Sequence, residues 1–483
     1  MPHLGSLSGT ASNRSQAVQA ILARYTAIVD DPQAFFASAM TPLPVCLWIN
    51  PLKGNLPALT TCLTNLGLAL EPVCWMPGAF RIHNWRSPGQ TLAFTAGWYY
   101  VQEEIAMTAV QVLNPQPGER ILDLCAAPGG KTAQIAIRLR NRGVVIANEL
   151  QATRLPSLST TIARLGLTNV LTTQGDGRQD LFPDHYFDRV LVDVPCSGEG
   201  NLRRRQHPRP WHPDHGQRIA TAQKKLLNQA LNCVKPGGTV VYSTCTFAPE
   251  ENEAVLDAVM GDRAYLEAIE IPGLRGQAGL TQWKGQHYRN DLHRARRYFP
   301  HVNNTGGFFV ALLRRTETQI HLYSRLPAVP EISPVPATTA PTRILSQQFA
   351  IAMDHFRHYQ CWSTGKKRLW LTHSDCRPLP GPPPQTLGIA IASQTNLGLK
   401  PSTAFLQRWG AAIQRNVIEL PDVEAAYRFL QGQSQTLPAS VAPGYVHVRL
   451  GTFHLGCGRY IAGQLQSQLP KTLRWSPSQI SQT

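Results

Sequence analysis

Two cysteines follow strand-like runs that end in polar residues. DVPCSGEG places Cys196 just past Phe187 to Asp193, and YSTCTFAPEENEAV places Cys245 just past Thr239 to Thr244. If both runs lie in one parallel sheet, their neighbouring ends aim the two thiols at a single crevice. Upstream, ILDLCAAPGGKT puts a glycine-containing turn directly after a buried strand and before a helix starting near Lys131. Such a turn lets backbone approach a ligand closely, and the helix start favours negative groups. The acids that follow are phased with it. Glu149 ends the next strand, where a carboxylate can hold two ribose hydroxyls. Asp176, in QGDGR, follows the third, where one can accept from an adenine amino group, and Asp193 ends the fourth. Ligands of open α/β sheets bind at that carboxyl edge. A nicotinamide dinucleotide enzyme is the nearest competing reading, but APGGK stands where G-x-G-x-x-G would be required.

Paired thiols beside a nucleoside-bearing cofactor suit a methyl transfer to carbon-5 of cytosine. That carbon is a poor nucleophile until a thiolate adds at carbon-6 and turns the ring into an enamine. Protonation of, or a hydrogen bond to, ring nitrogen 3 helps the addition. Asp193 can supply it as a carboxylic acid, provided that burial raises its pKa. A base must then take the carbon-5 proton so that the thiolate can leave. An ordinary thiol has a pKa of about 8.5 and is only a few per cent thiolate at neutral pH. Lys131, or the start of the helix expected at Pro249 with Glu250 and Glu251 in its first turn, is placed to lower it.

The elements that must hold these residues alternate strand and helix. Strands are expected at Arg120–Leu124, Val144–Asn148, Leu171–Gln174, Phe187–Asp193 and Thr239–Thr244. Between the last two lies a helix presenting Ile219, Leu226, Leu227, Ala230, Leu231 and Val234, and GFFVALLRR closes the region as a strand. The fold class is therefore α/β, a Rossmann-like, doubly wound parallel sheet. Around it, residues 1–15 are small and polar and are expected to be disordered. Residues 16–95 read as a small α+β module, helical from Gln16 to Met40, and the catalytic region covers 96–318. A proline-rich linker spans 319–345, and 346–483 reads as a β-rich domain with one amphipathic helix near Glu424–Leu430.

Together, DLCAAPGGKT, FDRVLVDVPCSGEG, YSTCTFAPEENEAV and RRYFPHVNNTGGFFVALLRR resemble the Nol/Nop/Sun class of RNA 5-methylcytosine methyltransferases, over about residues 16–318. The bacterial small-subunit ribosomal RNA group is the most similar, and LGCGRYIAGQLQSQLPKTLRW resembles that group's PUA-like RNA-binding tail. The resemblance implies S-adenosylmethionine as cofactor, held by Cys125, Ala126, Ala127, Pro128, Gly129, Gly130, Lys131, Glu149, Asp176 and Asp193. It makes Cys245 the nucleophile and Cys196 the residue assisting product release, with Lys131 and Asp193 binding or activating the base. Val194 stands where alanine is usual, with no expected effect.

Lys plus Arg number 46 against 30 for Asp plus Glu, a net charge of +16, which suits a polyanionic partner. Arg203, Arg204, Arg205 and Arg209 follow Cys196, and Arg294, Arg296 and Arg297 precede YFPH. Trp211, Tyr298 and Phe299 are candidate stacking aromatics, and Lys366, Lys367 and Arg368 a distal contact. The target cytosine is expected to be unpaired or flipped out. Ribosomal RNA is favoured over transfer RNA by resemblance alone. A catalytically silent RNA-binding assembly factor, or a DNA cytosine methyltransferase, is disfavoured by the two cysteines present together. Ten cysteines without a C-x-x-C pair spell out neither a zinc site nor a disulfide framework, and no metal is expected. With no signal peptide and no apolar run of membrane length, the expectation is a cytoplasmic protein, away from membranes and monomeric.

Overall fold

The computed structural model describes residues 6–83, 85–204, 212–317, 335–336, 340–364, 368–377, 379–396 and 398–476. Five parallel strands form the middle of its main sheet: β1 (Arg120–Asp123), β2 (Val144–Glu149), β3 (Val170–Gln174), β4 (Phe187–Asp193) and β5 (Val234–Thr244). Their spatial order is β5-β4-β1-β2-β3, so the winding reverses between β1 and β4. Alternate residues feed two cores. Leu122, Ile146, Val190, Val192 and Val240 face helices α3 (Pro213–Cys233) and α4 (Glu253–Met260). Ile121, Val145, Val170, Leu191 and Val241 face α1 (Gly130–Arg138) and α2 (Leu155–Leu165). A strand covered on both faces needs such a continuous apolar run. Val234, expected on the helix before β5, is instead the first residue of that strand. β6 (Phe308–Arg315) pairs antiparallel with β5, and Arg296–Tyr298 pairs with β6.

The amino-terminal module opens with a helix, Ser6–Leu22, which takes in part of the stretch expected to be a tail. Helix propagates cheaply from an anchored stretch, and Val18, Ile21 and Leu22 of this helix are buried beside Phe35, Phe247 and Phe299. The helical run to Met40 is also interrupted, by a tight turn over Ala23–Ile28. A new helix then starts at Pro32, where Asp31 accepts from the Ala34 amide at 2.9 Å. Val45–Ile49 forms a four-stranded antiparallel sheet with Leu70–Pro72, Ala79–Ile82 and Tyr99–Val101.

Residues 319–334 and 337–339 of the expected linker lie outside the described residues, but its end is helical, Ala340–Phe349. The β-rich part holds two five-stranded sheets, the first taking an edge strand from within the expected linker. The first joins Val335–Pro336, Tyr359–Thr364, Arg368–His373, Ile389–Thr395 and Gly398–Pro401; the second is built on Gly444–Leu450 and Phe453–Ile461. Between two strands of the first sheet, β7 (Pro384–Leu387) leaves it and pairs antiparallel with β3, extending the main sheet. Proline, lacking an amide hydrogen, is tolerated on such an edge. Among the described residues, no helix is long and apolar enough to cross a membrane.

Candidate active site

The loops after β1, β4 and β5 meet where the winding reverses, the usual ligand site of an open parallel sheet. A cavity of about 430 Å³ opens there, walled by Cys125, Lys131, Asp193, Asn201, Cys245 and Phe308 among others. The two sulfurs lie 3.3 Å apart. Cys245 is on the cavity wall; Cys196 is not, though both are half-buried. Asn201 Nδ2 donates to Cys245 Sγ at 3.0 Å. Lys131 Nζ donates to Asp193 Oδ2 at 2.7 Å, and Ser243 Oγ donates to Asp193 Oδ1 at 2.7 Å.

These contacts divide the thiols. The hydrogen bond from Cys196 lowers the Cys245 pKa most; burial and the Asp193 charge oppose it, while Lys131 and Asn201 add to it, and the net shift is downward. The same hydrogen bond and then burial push Cys196 well up. Either sulfur can donate in this pair, and the Asn201 N–H on Cys245 Sγ favours that sulfur as the acceptor. Burial works against the Lys131 ammonium, but Asp193 overcomes it and its pKa is raised. Both Asp193 oxygens thus accept hydrogen bonds, from Lys131 and Ser243. Burial raises Asp123, to about 7.

The glutamates after Cys245 are not the first turn of a helix, because α4 begins only at Glu253. They are braces. Glu251 Oε2 accepts from the Ser197 amide at 2.9 Å and from Gln223 Nε2 at 3.1 Å, fixing the Cys196 loop. Asn252 accepts from Thr244 Oγ1 at 2.6 Å and donates to the Thr246 carbonyl at 3.1 Å, fixing the Cys245 loop. Glu253 is buried with Arg297 in an ion pair. The loops approach so closely that a Cβ at Gly200 would lie 2.2 Å from the Gly307 carbonyl, which accounts for the glycine in GEG.

S-adenosylmethionine can be tested against the cavity. Gly129, at φ 105°, turns the chain into α1 beneath it, and a Cβ there would be strained. Cys125, Ala126, Ala127, Pro128, Gly130, Lys131 and Asp193 line it. Asp123 also lines it, with a buried Oδ1 that has no hydrogen-bond partner, which an ammonium group would satisfy. The donor set fits the amino-acid end of that cofactor. Glu149 and Asp176 lie at the same sheet edge but off the cavity wall. Glu149 accepts from the Ala127 and Gln151 amides at 3.3 and 2.9 Å and faces Arg154 at 3.3 Å. Asp176 is gripped at both oxygens by Arg178, at 2.8 and 2.7 Å.

The family model for 16S rRNA methyltransferase RsmB/F matches residues 110–314. Those for the RsmF N-terminal domain and the RsmF PUA domain match 19–104 and 415–475. Ribosomal RNA small subunit methyltransferase F of Shigella boydii serotype 4 is 31% identical over 457 residues, 91% of this chain and 92% of that protein. The chain belongs to the RsmB/F methyltransferase family. Its cofactor is S-adenosylmethionine. The 25S rRNA (cytosine-C(5))-methyltransferase nop2 of Schizosaccharomyces pombe is 35% identical over 302 residues, 60% of this chain, which spans only 49% of that longer relative. Among solved structures, a methyltransferase homologue from Pyrococcus horikoshii superposes with a TM-score of 0.53 at 29% identity, covering 65% of this chain and 99% of that one.

Several expected RNA contacts of this RsmB/F member belong to its scaffold. Arg203 is buried and donates to the Pro42 carbonyl at 2.7 Å and Thr305 carbonyl at 3.0 Å. Arg297, Tyr298 and Phe299 are buried too. Arg294 and Arg296 donate to backbone carbonyls. Among the described residues of these clusters, Arg204 alone reaches the cavity wall. Arg205, Arg209, Trp211, Lys366 and Lys367 lie outside the described residues. Sequence reading missed Asp123, Asn201 and the bracing role of Glu251 and Asn252. Asp123 was visible as the polar end of ILDL, whereas the partners of the others come from distant segments.

Proposed function

We propose that this chain methylates carbon-5 of a cytosine in ribosomal RNA through a covalent adduct on Cys245. One observation carries the reading: two sulfurs 3.3 Å apart, the more acidic one on the wall of a cavity that Lys131 and Asp193 also line. When bound, S-adenosylmethionine supplies the methyl group as an electrophile. The protein's part is to make carbon-5 nucleophilic and then let the product go.

The Cys245 thiolate adds to carbon-6, and the ring's double-bond electrons move toward nitrogen 3. An N–H of the Lys131 ammonium, held by Asp193, hydrogen-bonds that nitrogen as charge develops on it. Carbon-5 then takes the methyl group and keeps its hydrogen. With Cys245 Sγ now bonded to carbon-6, the negative charge that held Cys196 protonated is gone. Cys196 loses its proton to solvent, takes the carbon-5 proton as base, and the Sγ–carbon-6 bond breaks to restore the ring. Asn201 and Lys131 receive the returning thiolate. Arg204 meets a phosphate of the incoming strand.

Ribosomal RNA is supported by the names of the relatives that match over nearly the whole length. The test is transfer of labelled methyl from S-adenosylmethionine to ribosomal RNA from cells lacking the protein, with the product mapped by bisulfite sequencing. One new 5-methylcytosine, and an RNA–protein adduct that survives denaturation, are expected. Methyl transfer only to transfer RNA, or to no RNA at all, would refute the assignment.

A further inference from the structure

A second cavity, of about 540 Å³, lies beside the same helix that flanks the active site. Arg154, just before α2, lines the first cavity; Ser159 and Thr160 line the second. A helical rise of 1.5 Å per residue separates those positions by only about 8 Å along the axis. The rest of the wall comes from both carboxy-terminal sheets, including Arg368, Lys400 and Arg474.

The two cavities differ in how their cations are used. In the active site, Lys131 is paired with Asp193, and Arg154 with Glu149. Among the described residues, the second wall carries four cations and no carboxylate. Arg164 is spent on the Phe94 and Tyr99 carbonyls, at 2.8 and 3.0 Å. The other three make no ion pair among the described residues. Lys400 gives one hydrogen bond, to Gln468 Oε1 at 2.8 Å, leaving two N–H groups. Arg474 bonds the Leu469 carbonyl at 3.0 Å through Nε, which leaves its terminal nitrogens open. Arg368 lies over the Trp370 ring at 5.5 Å and is exposed. Hydroxyls of Ser159, Thr160, Ser393 and Thr472 add further donors. A wall rich in donors and cations and empty of acids suits phosphate oxygens.

We propose that this cavity is a second RNA site, gripping the phosphate–ribose backbone of a single-stranded segment away from the base being methylated. The inference rests on the RNA substrate proposed above. Three cations on separate strands and a loop offer up to three contacts, which a chain of phosphates can use and one small anion need not. The site gives the enzyme a hold on RNA outside the catalytic crevice, through contacts that carry no base specificity.

The test uses the full chain and a fluorescein-labelled single-stranded RNA of uridine and adenosine only, so that no cytosine chemistry enters. Binding is followed by anisotropy across salt concentration for wild type and for the R368Q/K400Q/R474Q variant. Each lost phosphate contact lowers the slope of log affinity against log salt by about 0.7, so a slope shallower by about 2 is expected. S-adenosylmethionine affinity, measured calorimetrically, stays unchanged and reports an intact fold. Single variants guard against a folding failure, each lowering the slope by about 0.7. A 4-thiouridine version of the probe should cross-link to residues lining this wall. Unchanged slopes in all variants, or displacement of the probe by micromolar AMP or inorganic phosphate, would overturn the proposal, the latter by showing a small-anion site. Failure of the catalytic reading looks different: no methyl transfer, with the salt effect intact.

Discussion

The two cysteine loops bring chemically identical side chains within 3.3 Å of each other and give them opposite acidities. The loop after β5 exposes Cys245 to the cavity, close to Asn201 and the Lys131 ammonium. The loop after β4 holds Cys196 against it, hydrogen-bonded to the other sulfur, half-buried and off the cavity wall. An added negative charge is therefore welcome at one sulfur and costly at the other until the first has formed a bond. Division of labour between two equal thiols comes from which one meets the cation and the opening, not from the residue type.

Breaking that comparison at its centre should have the largest effect. Cys245→Ala is expected to cut methyl transfer at least ~10⁴-fold and to leave no denaturation-resistant RNA adduct on gels. Cys196→Ala should reduce multiple turnover by roughly 10²- to 10³-fold while the adduct accumulates and single-turnover methyl transfer persists. The opposite adduct pattern would exchange the two roles. Lys131→Met removes the cation common to Asp193 and Cys245, and kcat should fall on the order of 10²-fold. The pH at which iodoacetamide begins to alkylate Cys245 should move upward, because the thiolate loses its cation.

Asn201→Ala sharpens the comparison more gently. Alkylation of Cys245 at neutral pH should slow on the order of 5-fold, the worth of one hydrogen bond of about 1 kcal/mol. The Asn201 hydrogen bond goes to Cys245 Sγ, so the larger change in alkylation is expected at that thiol. The smallest effect on catalysis is expected at Glu199, which joins the loops by accepting from Thr246 Oγ1 at 3.1 Å and from the Tyr25 hydroxyl. Burial raises its pKa to about 7. The folded protein then holds a proton that the unfolded chain releases near pH 4.5, so this contribution is full below that pH and lost as pH rises through 7. Urea unfolding should show Glu199→Gln losing less stability than wild type between pH 5 and 8, by at most about 3 kcal/mol.

Legibility followed the range of the interactions. β1 to β5 were readable because each is a short apolar run between turn residues, and a buried parallel strand can look no other way. The cofactor turn was readable because its glycines and the strand before it are adjacent in the chain. Arg297 and Arg203 read as RNA contacts because charge in a sequence carries no burial; Glu253 and the Pro42 and Thr305 carbonyls claim them from a distance. β7 was hidden for the same reason, since nothing local in PQTL says that its partner is β3.

By itself, then, the sequence determined the strand ends, the order of the motifs along them, and the residue types that gather at the cavity, all properties of a few consecutive residues. Only the tertiary structure decided which sulfur faces the cavity, that Glu251 and Asn252 brace the loops, and that three cations gather with no acid among them. Those outcomes depend on contacts between segments far apart in the chain, where distance and burial, not residue type, set the energy.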